Sequence, residues 1–220
     1  MILSIITIAL TNDEHLSNTV NSIRKQKNKN NGIMIEHLIV SPDQSCEEFY
    51  EEIFCFRAAN GIYDAMNFGL LKSSGDLVWF LNSGDVSINL DFLIQKIKYN
   101  HNSSIDIYGF SVILGDINGK LMHPRITSPH PGTIYKRDIF NTLKGFDQNL
   151  MITADRDLLD RARESGFKIE WCNVPIAVFD LNGISSKKRI ISCRYRDAVY
   201  EIKNRPINMI RIWRFLRYLF

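Results

Sequence analysis

Apolar residues follow two patterns along the first hundred residues, and the two patterns alternate. Continuous β-branched runs, such as residues 2–10, are typical of strands that are covered on both faces of a parallel sheet. Segments in which apolar residues return every three or four positions, such as residues 16–26, predict helices that pack on that sheet. The predicted strands are residues 2–10, 34–40, 54–58 and 77–81, and the predicted helices are residues 16–26, 47–54, 61–69 and 90–100. This alternation predicts an α/β fold with a Rossmann-like, mostly parallel central sheet flanked by helices.

The pattern changes after the fourth predicted helix. Residues 105–114 have the pattern of a strand, Asn118-Gly119 is a tight-turn pair, and residues 120–122 are predicted to return as a hairpin. Farther along, a helix is predicted from a possible cap at Thr153 to Ser165, and a strand over residues 168–178 follows it. The sequence therefore predicts a small antiparallel portion after the parallel one.

A C-terminal tail, residues 187–220, differs from the rest of the chain in charge. It carries ten Lys or Arg against two Asp or Glu, a local charge of +8, so the net charge of +3 leaves −5 on residues 1–186. A helix is predicted over residues 192–204, and Pro206 follows it. On a helical wheel of residues 207–220, an apolar side and a basic side separate: Met209, Ile212, Trp213, Leu216 and Phe220 against Arg211, Arg214 and Arg217.

An aromatic apolar side beside arginines is typical of a helix that lies in a membrane interface and binds anionic lipid. The tail is therefore expected to make a peripheral contact with a membrane. The alternative is that this helix packs on the protein's own core and leaves its arginines in solvent.

Composition narrows the class of protein further. At 220 residues and 45% hydrophobic, the chain is long enough to bury the core of one domain. The four cysteines have no Cys-x-x-Cys spacing and no zinc-type histidine nearby, which favours reduced thiols in a cytosolic protein. Residues 1–10 lack the features of a signal peptide and are too short to span a bilayer, so a cytoplasmic location is expected. A Gly-x-Gly-x-x-Gly run is absent, which disfavours a dehydrogenase.

Asp85 is the first candidate for chemistry. It ends the polar run Asn82-Ser83-Gly84-Asp85, directly after the buried strand at residues 77–81. Open α/β sheets bind ligands at the carboxyl ends of their strands, and a carboxylate there is a ligand for Mg²⁺ or Mn²⁺. The alternative is ordinary turn chemistry, in which Asn, Ser and Asp bond to the local backbone and Gly supplies a positive φ.

The amino-acid sequences of two segments resemble those of a known enzyme family. Gly61-Ile62-Tyr63-Asp64-Ala65-Met66-Asn67-x-Gly69, followed by a strand and Leu81-Asn82-Ser83-Gly84-Asp85, resembles the inverting family 2 glycosyltransferases of GT-A type. These enzymes build bacterial surface polysaccharides such as O-antigen, capsule and colanic acid. The resemblance is strong over residues 2–26 and 58–85, looser over residues 123–185, and absent beyond.

The resemblance implies a domain organisation and a reaction. Residues 1–186 are expected to form one GT-A domain, with a nucleotide-sugar-binding half at residues 1–100 and an acceptor half at residues 101–186. The expected reaction moves a sugar, with inversion, from a nucleotide-sugar donor to a hydroxyl of a lipid-linked saccharide. A UDP-sugar is the expected donor, and the expected site of action is the inner face of the bacterial plasma membrane, with no nucleic-acid partner.

The resemblance also assigns donor-binding residues. Asp85 matches the last carboxylate of an Asp-x-Asp-like motif that holds the metal and the diphosphate, and Asn82 or Ser83 takes the first position. Asp43, displaced by one position because Pro42 occupies the usual slot, is the expected contact to the base. Asp64 and Asn67 are expected to line the nucleotide pocket. The alternatives are a Pro-Asp turn for Asp43 and a helix-dipole role for Asp64.

A second set of residues is assigned to the acceptor side. His130 matches a His-x-x-Thr-Phe-like segment that borders the diphosphate and the acceptor, although a lone loop histidine is also commonly a plain surface residue. In a Glu-Asp-x-Asp-Leu-like motif, Ala154 replaces the Glu, Asp155 matches the catalytic base, and Asp157 matches the following acid, which is expected to contact substrate. The alternative is that both acids only stabilise the first turn of a helix.

Two rival functions stay open. A nucleotidyltransferase on a similar sheet would activate a sugar phosphate, but such enzymes carry a Gly-rich loop with a basic residue after the first strand, and Thr11-Asn12-Asp13-Glu14 has neither. A catalytically inactive, membrane-associated scaffold is the other rival, because Pro42, Ala154 and the Asn82–Asp85 loop depart from the family's pattern.

Overall fold

A computed structural model describes residues 1–27, 33–49, 52–58, 60–99, 104–115, 124–125, 130–180 and 190–216. The strands are β1 (Ile2–Ile8), β2 (Met34–Ser41), β3 (Ile53–Phe56), β4 (Leu77–Phe80), β5 (Val86–Ser87), β6 (Ile107–Gly115), β7 (Pro124–Arg125), β8 (Thr133–Lys136) and β9 (Ile169–Asp180). The helices are α1 (Glu14–Lys27), α2 (Ser45–Phe49), α3 (Ile62–Lys72), α4 (Leu90–Tyr99), α5 (Arg137–Leu143), α6 (Ala154–Glu164), α7 (Ile190–Asn204) and α8 (Met209–Leu216).

One mixed sheet organises the molecule, with the strand order β3-β2-β1-β4-β8-β6-β9-β5. The first four strands in that order are parallel, whereas β8 is antiparallel to both of its neighbours, β4 and β6. The predicted α/β fold, with a parallel portion followed by a small antiparallel one, is confirmed. The predicted turn at Asn118-Gly119 and the return strand at residues 120–122 lie outside the described residues.

The sheet is covered on both faces, as its continuous apolar strands predict. In β4, Val78 and Phe80 pack into one core with α3, α5 and α6, whereas Leu77 and Trp79 pack into the core on the opposite face with α4. All four side chains are 3% exposed or less. Since neither face of β4 meets water, the carboxyl ends of the strands are where polar side chains reach a ligand.

Some elements differ from the sequence-based prediction. Helix α2 begins and ends earlier than residues 47–54, α3 continues past Gly69 to Lys72, and the strand β8 and the helix α5 were not predicted. The conformation of a short element such as β8 is determined by the strands with which it pairs. Here β8 lies between β4 and β6, and no pattern within its four residues could show that.

The C-terminal helix α8 is oriented with its arginines toward the protein. Arg211 is 2% exposed and forms an ion pair with Glu164 of α6 at 3.1 Å, and Arg214 binds Asp160 of α6 at 2.6 Å. Met209 and Trp213 are instead 80% and 61% exposed. The expectation that arginines 211 and 214 face lipid or solvent is therefore wrong, because Glu164 and Asp160 of α6 bind them; Arg217 and Phe220 lie outside the described residues.

Along the stretches that the structure describes, none of the helices combines the length and the apolar character that crossing a membrane requires.

Candidate active site

Two polar segments, the loop after β4 and the first turn of α6, meet at the carboxyl ends of the parallel strands, and His130 lies between them. Its Nε2 is 3.8 Å from Asp85 Oδ2, in the loop after β4, and its Nδ1 is 3.9 Å from Asp155 Oδ2, on the first turn of α6. The sequence predicted both acids and the histidine separately. The structure places all three together, so that two acids from distant parts of the chain face one imidazole.

The loop that carries Asp85 is fixed by its own carboxylate. Asp85 Oδ2 accepts a hydrogen bond from the backbone N–H of Asn82 at 3.2 Å, and Oδ1 accepts one from the N–H of Asp180 at 3.0 Å. From α1, Thr19 accepts a hydrogen bond from the Gly84 N–H and donates one to the carbonyl of Asp85. Gly84 has φ 98°, and an added Cβ there would lie 2.6 Å from Asp180 Oδ2, so this position requires glycine.

Asp85 is nearly inaccessible, with 2% of its surface exposed. Burial raises the pKa of this carboxyl to about 6, although the charge on His130 and the N–H groups of Asp180 and Asn82 favour the ionised form. A buried carboxylate with this balance is stabilised by any further positive charge that comes next to it.

His130 is held in place by contacts with β4 and with the loop that follows it. Trp79 of β4 donates its indole N–H to the carbonyl of Pro131 at 2.9 Å, which anchors the 3₁₀ turn His130–Gly132. The Asn82 side-chain amide lies 2.7 Å from His130 Nε2. With Asn82 Nδ2 as the donor, Nε2 accepts, and the proton of a neutral imidazole is on Nδ1, the nitrogen that faces Asp155.

Asp155 is the second residue of α6, and 17% of its side chain is exposed. Its Oδ1 accepts hydrogen bonds from the Arg156 N–H at 2.9 Å and from the Tyr63 hydroxyl at 3.3 Å. Burial raises the pKa of Asp155, but the neighbouring His130, together with Arg156, outweighs burial and leaves the pKa below its ordinary value. Asp155 is therefore ionised at neutral pH, with Oδ2 on the side of His130.

Asp157 has a different environment, although only one residue separates it from Asp155. Its side chain is 0% exposed, with Oδ2 2.7 Å from Arg161 Nε and Oδ1 2.9 Å from Arg205 Nε. Residues two apart on a helix lie about 200° apart around its axis, so the two acids cannot face the same space. The ion pairs give Asp157 a structural role, and its contact with substrate stays a prediction.

Asp43 joins the loops after β1 and β2. It accepts a hydrogen bond from the Asn12 N–H at 2.9 Å and two more from the N–H and hydroxyl of Ser45. These bonds lower its pKa, with the Asn12 contribution the largest. Asp43 thus forms the turn that the alternative interpretation describes, at the strand ends where a nucleotide base is expected. The contact with a base stays a prediction.

Asp64 and Asn67, both on α3, have partners within the protein. Arg57 binds both carboxylate oxygens of Asp64, at 2.7 and 2.6 Å, and this pairing lowers the pKa of Asp64. The Asn67 amide donates to the carbonyl of Phe146 and accepts from its N–H. Both residues therefore hold the wall of the site in place, and their direct contact with a donor stays a prediction.

Two residues of the site were not predicted from the sequence. Tyr63 lies within the quoted α3 motif, but its hydroxyl reaches an acid 92 positions away, and burial raises the pKa of this phenol well above its ordinary value. Asp180 supplies the N–H that binds Asp85 and pairs with His15 at 3.2 Å. The polar end of the apolar run at residues 168–178 is the signal that could have found Asp180.

The side chains present fit a divalent cation only in part. Within the described ranges, no group of three His, Cys, Asp or Glu residues is arranged to hold a metal ion. Asp85 supplies one carboxylate, and the buried Asn82 Oδ1 has no hydrogen-bond partner among the described residues. Mg²⁺ is commonly held by one or two carboxylates plus substrate phosphates and water, and a divalent cation at Asp85 and Asn82 stays a prediction.

Comparisons with known proteins found two curated relatives and several solved structures with the same fold. No protein-family model matches the chain. Two proteins of Mycobacterium tuberculosis, from strains CDC 1551 and H37Rv and both described as uncharacterised glycosyltransferases, are 26% identical to it over 181 residues, covering 72% of this chain and 68% of each relative.

Two solved structures share the fold. S. aureus TarS 1–349 in complex with UDP-GlcNAc has a TM-score of 0.70 and 16% identity, covering 100% of this chain and 72% of that one. The mannosyltransferase PcManGT from Pyrobaculum calidifontis, in complex with GDP-Man and Mn²⁺, has a TM-score of 0.65 and 12% identity, covering 99% and 72%. The predicted GT-A fold is therefore confirmed.

Proposed function

We propose that this protein is an inverting glycosyltransferase of family 2, which moves a sugar from a nucleotide-sugar donor to a hydroxyl of a lipid-linked saccharide. The observation that carries the proposal is the position of His130, within 3.8 Å of Asp85 and 3.9 Å of Asp155. In this proposal the donor-side acid, Asp85, and the base, Asp155, lie near each other at the carboxyl ends of the strands, where open α/β sheets bind ligands. The similarity to glycosyltransferases, among them structures with UDP-GlcNAc and GDP-Man, supports it.

The transfer step assigns one role to Asp155. An acceptor hydroxyl attacks the anomeric carbon from the face opposite the diphosphate, and a new C–O bond forms as the bond to the phosphate oxygen breaks. The nucleoside diphosphate leaves with that electron pair, and the hydroxyl proton passes to Asp155 Oδ2, the oxygen nearer His130. The configuration of the sugar is inverted because attack and departure lie on opposite faces.

On the donor side, Asp85 and Asn82 would hold Mg²⁺ or Mn²⁺, which would offset the negative charge that develops on the departing diphosphate. Asp43, just after the end of β2, is the expected contact to the base of the donor, which is expected to be uracil. His130 lies beside both groups and is the expected contact to the diphosphate and the acceptor.

A peripheral contact with the inner face of the plasma membrane is part of the same proposal. The outer side of α7 and α8 is apolar, with Ile191, Met209, Ile210, Trp213 and Leu216 between 45% and 80% exposed. The cations Arg194, Arg196 and Lys203 of α7 are also exposed. An apolar, aromatic helix surface beside such cations suits an anionic lipid interface, where a lipid-linked acceptor of O-antigen type is found.

The membrane contact is tested by flotation with vesicles in which about one third of the lipid is phosphatidylglycerol, an anionic lipid. The protein is expected to float with these vesicles, and Met209→Ser/Trp213→Ser is expected to stay in solution, because it removes two exposed apolar side chains without touching the arginine pairs. Equal flotation of both proteins would contradict the role of α8.

The reaction is tested with a panel of nucleotide-sugars and lipid-linked saccharides, with Asp155→Asn beside the wild type. Loss of the base is expected to lower turnover by about 10²- to 10⁴-fold. Binding of the nucleotide, measured by calorimetry with and without Mn²⁺, is expected to change little, because Asp155 lies on the acceptor side.

Asp157→Asn is the informative comparison, since it changes the neighbouring acid of the motif. It is expected to lower the melting temperature, because it leaves Arg161 and Arg205 poorly paired, while turnover stays much nearer to wild type. Full transfer activity in Asp155→Asn would overturn the assignment of the base. Nucleotide binding without turnover of any donor would favour the inactive scaffold, and transfer of a nucleotidyl group would favour the nucleotidyltransferase.

A further inference from the structure

The segment that leads into the base-bearing helix is held by a residue from the C-terminal tail. Asp197 of α7 accepts hydrogen bonds from the N–H of Met151 at 2.9 Å, the N–H of Ile152 at 3.0 Å and the hydroxyl of Thr153 at 3.0 Å. These three residues directly precede α6, and Asp155 follows two positions after Thr153. One carboxylate therefore fixes the backbone immediately before Asp155.

Helix α6 depends on this contact because its own cap is missing. Thr153 was predicted to cap the helix, but its hydroxyl makes no cap hydrogen bond to the described residues of α6 and is directed to Asp197 instead. Asp197 is 0% exposed, so its charge is separated from water and relies on the three donors and on the positive end of the helix dipole.

A second contact from the tail holds the other side of the same turn. Arg205, directly after α7, donates to both oxygens of Asp157 and to Asp147. Asp155 thus lies between a backbone segment held by Asp197 and a side chain held by Arg205. Its Oδ2 is 3.9 Å from His130, so a small rotation of this turn is enough to change the distance between base and imidazole.

We infer that Asp197 is a positioning residue for the base of the proposed transfer reaction, and that α7 is part of the catalytic structure. The inference rests on the proposed function. The inference gives the tail a role in catalysis as well as in membrane contact. A chain that ended at residue 186 would lose Asp197 and Arg205 together with the exposed apolar surface. The three donors around Asp197 also give a structural reason for one of the two acids in this basic tail.

The test compares Asp197→Asn with the wild type in the full chain. An asparagine has one acceptor oxygen, and its NH₂ group would face a backbone N–H, so the three hydrogen bonds cannot all persist. We expect kcat to fall at least about tenfold while the KM for the donor changes less than about twofold, because only the acceptor side loses its alignment.

Asp160→Asn is the matched control. Asp160 is on the same helix and also binds the tail, through Arg214 at 2.6 Å, but it lies more than one turn beyond Asp155. This variant is expected to lose a comparable amount of thermal stability and to keep the kcat of the wild type. An equal kcat in both variants would mean that Asp197 contributes only to stability and would overturn the inference.

Two measurements keep the test decisive if Asp197→Asn folds poorly or if no donor is turned over. Thr153→Val removes one of the three donors at nearly constant shape, and it is expected to lower kcat by a few-fold with an unchanged donor KM. Hydrogen exchange at the amides of Met151 and Ile152 needs no substrate and is expected to be faster in Asp197→Asn than in Asp160→Asn.

Unchanged exchange at these two amides would overturn the positioning role. A wild type without turnover, together with faster exchange in Asp197→Asn, would instead count against the proposed function alone.

Discussion

Replacing Glu52 by Gln is expected to destabilise the parallel part of the sheet by an amount that depends on pH. Glu52 is 6% exposed and accepts two hydrogen bonds from Arg24 of α1, both at 2.8 Å. Its Oε1 is 3.8 Å from Nδ1 of His37 of β2, whose Nε2 lies 2.9 Å from the hydroxyl of Thr7 in β1. One carboxylate therefore links a helix to two neighbouring strands.

The magnitude follows from the pKa of Glu52. Burial acts to raise it, but the nearby His37 and the hydrogen bonds from Arg24 outweigh burial and lower the pKa from 4.5 to about 2. Since one pKa unit is about 1.4 kcal/mol, the ionised carboxylate contributes about 3 kcal/mol to the free energy of unfolding at neutral pH. The unfolded chain takes up this proton first, so the contribution is complete above pH 4.5 and is lost as the pH falls toward about 2.

Urea unfolding of the wild type and Glu52→Gln measures this directly, because Gln resembles the protonated acid. The difference in unfolding free energy is expected to be about 3 kcal/mol at pH 7 and about 1 kcal/mol at pH 3. Glu47→Gln, an exposed position on α2, removes the same formal charge and is expected to change the free energy by less than about 0.5 kcal/mol at either pH. A difference for Glu52→Gln that did not shrink at acid pH would refute the assignment of the stabilisation to the ionised carboxylate.

Three further variants test other parts of the structure. Asn67→Ala removes both hydrogen bonds to the backbone of Phe146 and is expected to cost about 2 kcal/mol in thermal unfolding; a cost near zero would mean that this contact does not hold α3. Gly84→Ala places a methyl group 2.6 Å from Asp180 Oδ2 at φ 98°, and it is expected to lower the free energy of unfolding by about 1–3 kcal/mol. Nucleotide binding, measured by calorimetry, is expected to weaken as well. Unaltered binding would contradict a role of this loop in the site. His130→Ala is expected to lower kcat at least about tenfold, and a wild-type kcat would show that the imidazole is not needed beside Asp155.

The local pattern of the sequence was sufficient for much of the fold. The strands around β1 and β4 are continuous apolar runs because both faces are buried, and such runs differ visibly from amphipathic helices. The candidate acids were also visible, because a carboxylate that directly follows a buried strand or opens a helix stands out in one dimension. Short elements such as β8 and α5 were missed, since their conformation depends on neighbours distant in the chain.

The direction in which α8 faces shows the limit most clearly. The helical wheel separated the arginines from the apolar residues, but a wheel does not say which side meets the protein. That choice was made by Glu164 and Asp160 on α6, whose carboxylates bind Arg211 and Arg214. The free energy of pairing these charges is a property of two segments in contact, and it leaves no trace in the sequence of either one.

The sequence by itself determined which residues could form strands, helices and polar loops, because hydrophobic periodicity and turn chemistry act over a few neighbouring residues. Only the tertiary structure decided that His130 lies between Asp85 and Asp155, that Asp155 and not Asp157 faces it, and that Asp197 holds the segment before them. The physical reason is distance: hydrogen bonds and ion pairs act over a few ångströms, and which side chains come that close is set by how the sheet and its helices pack.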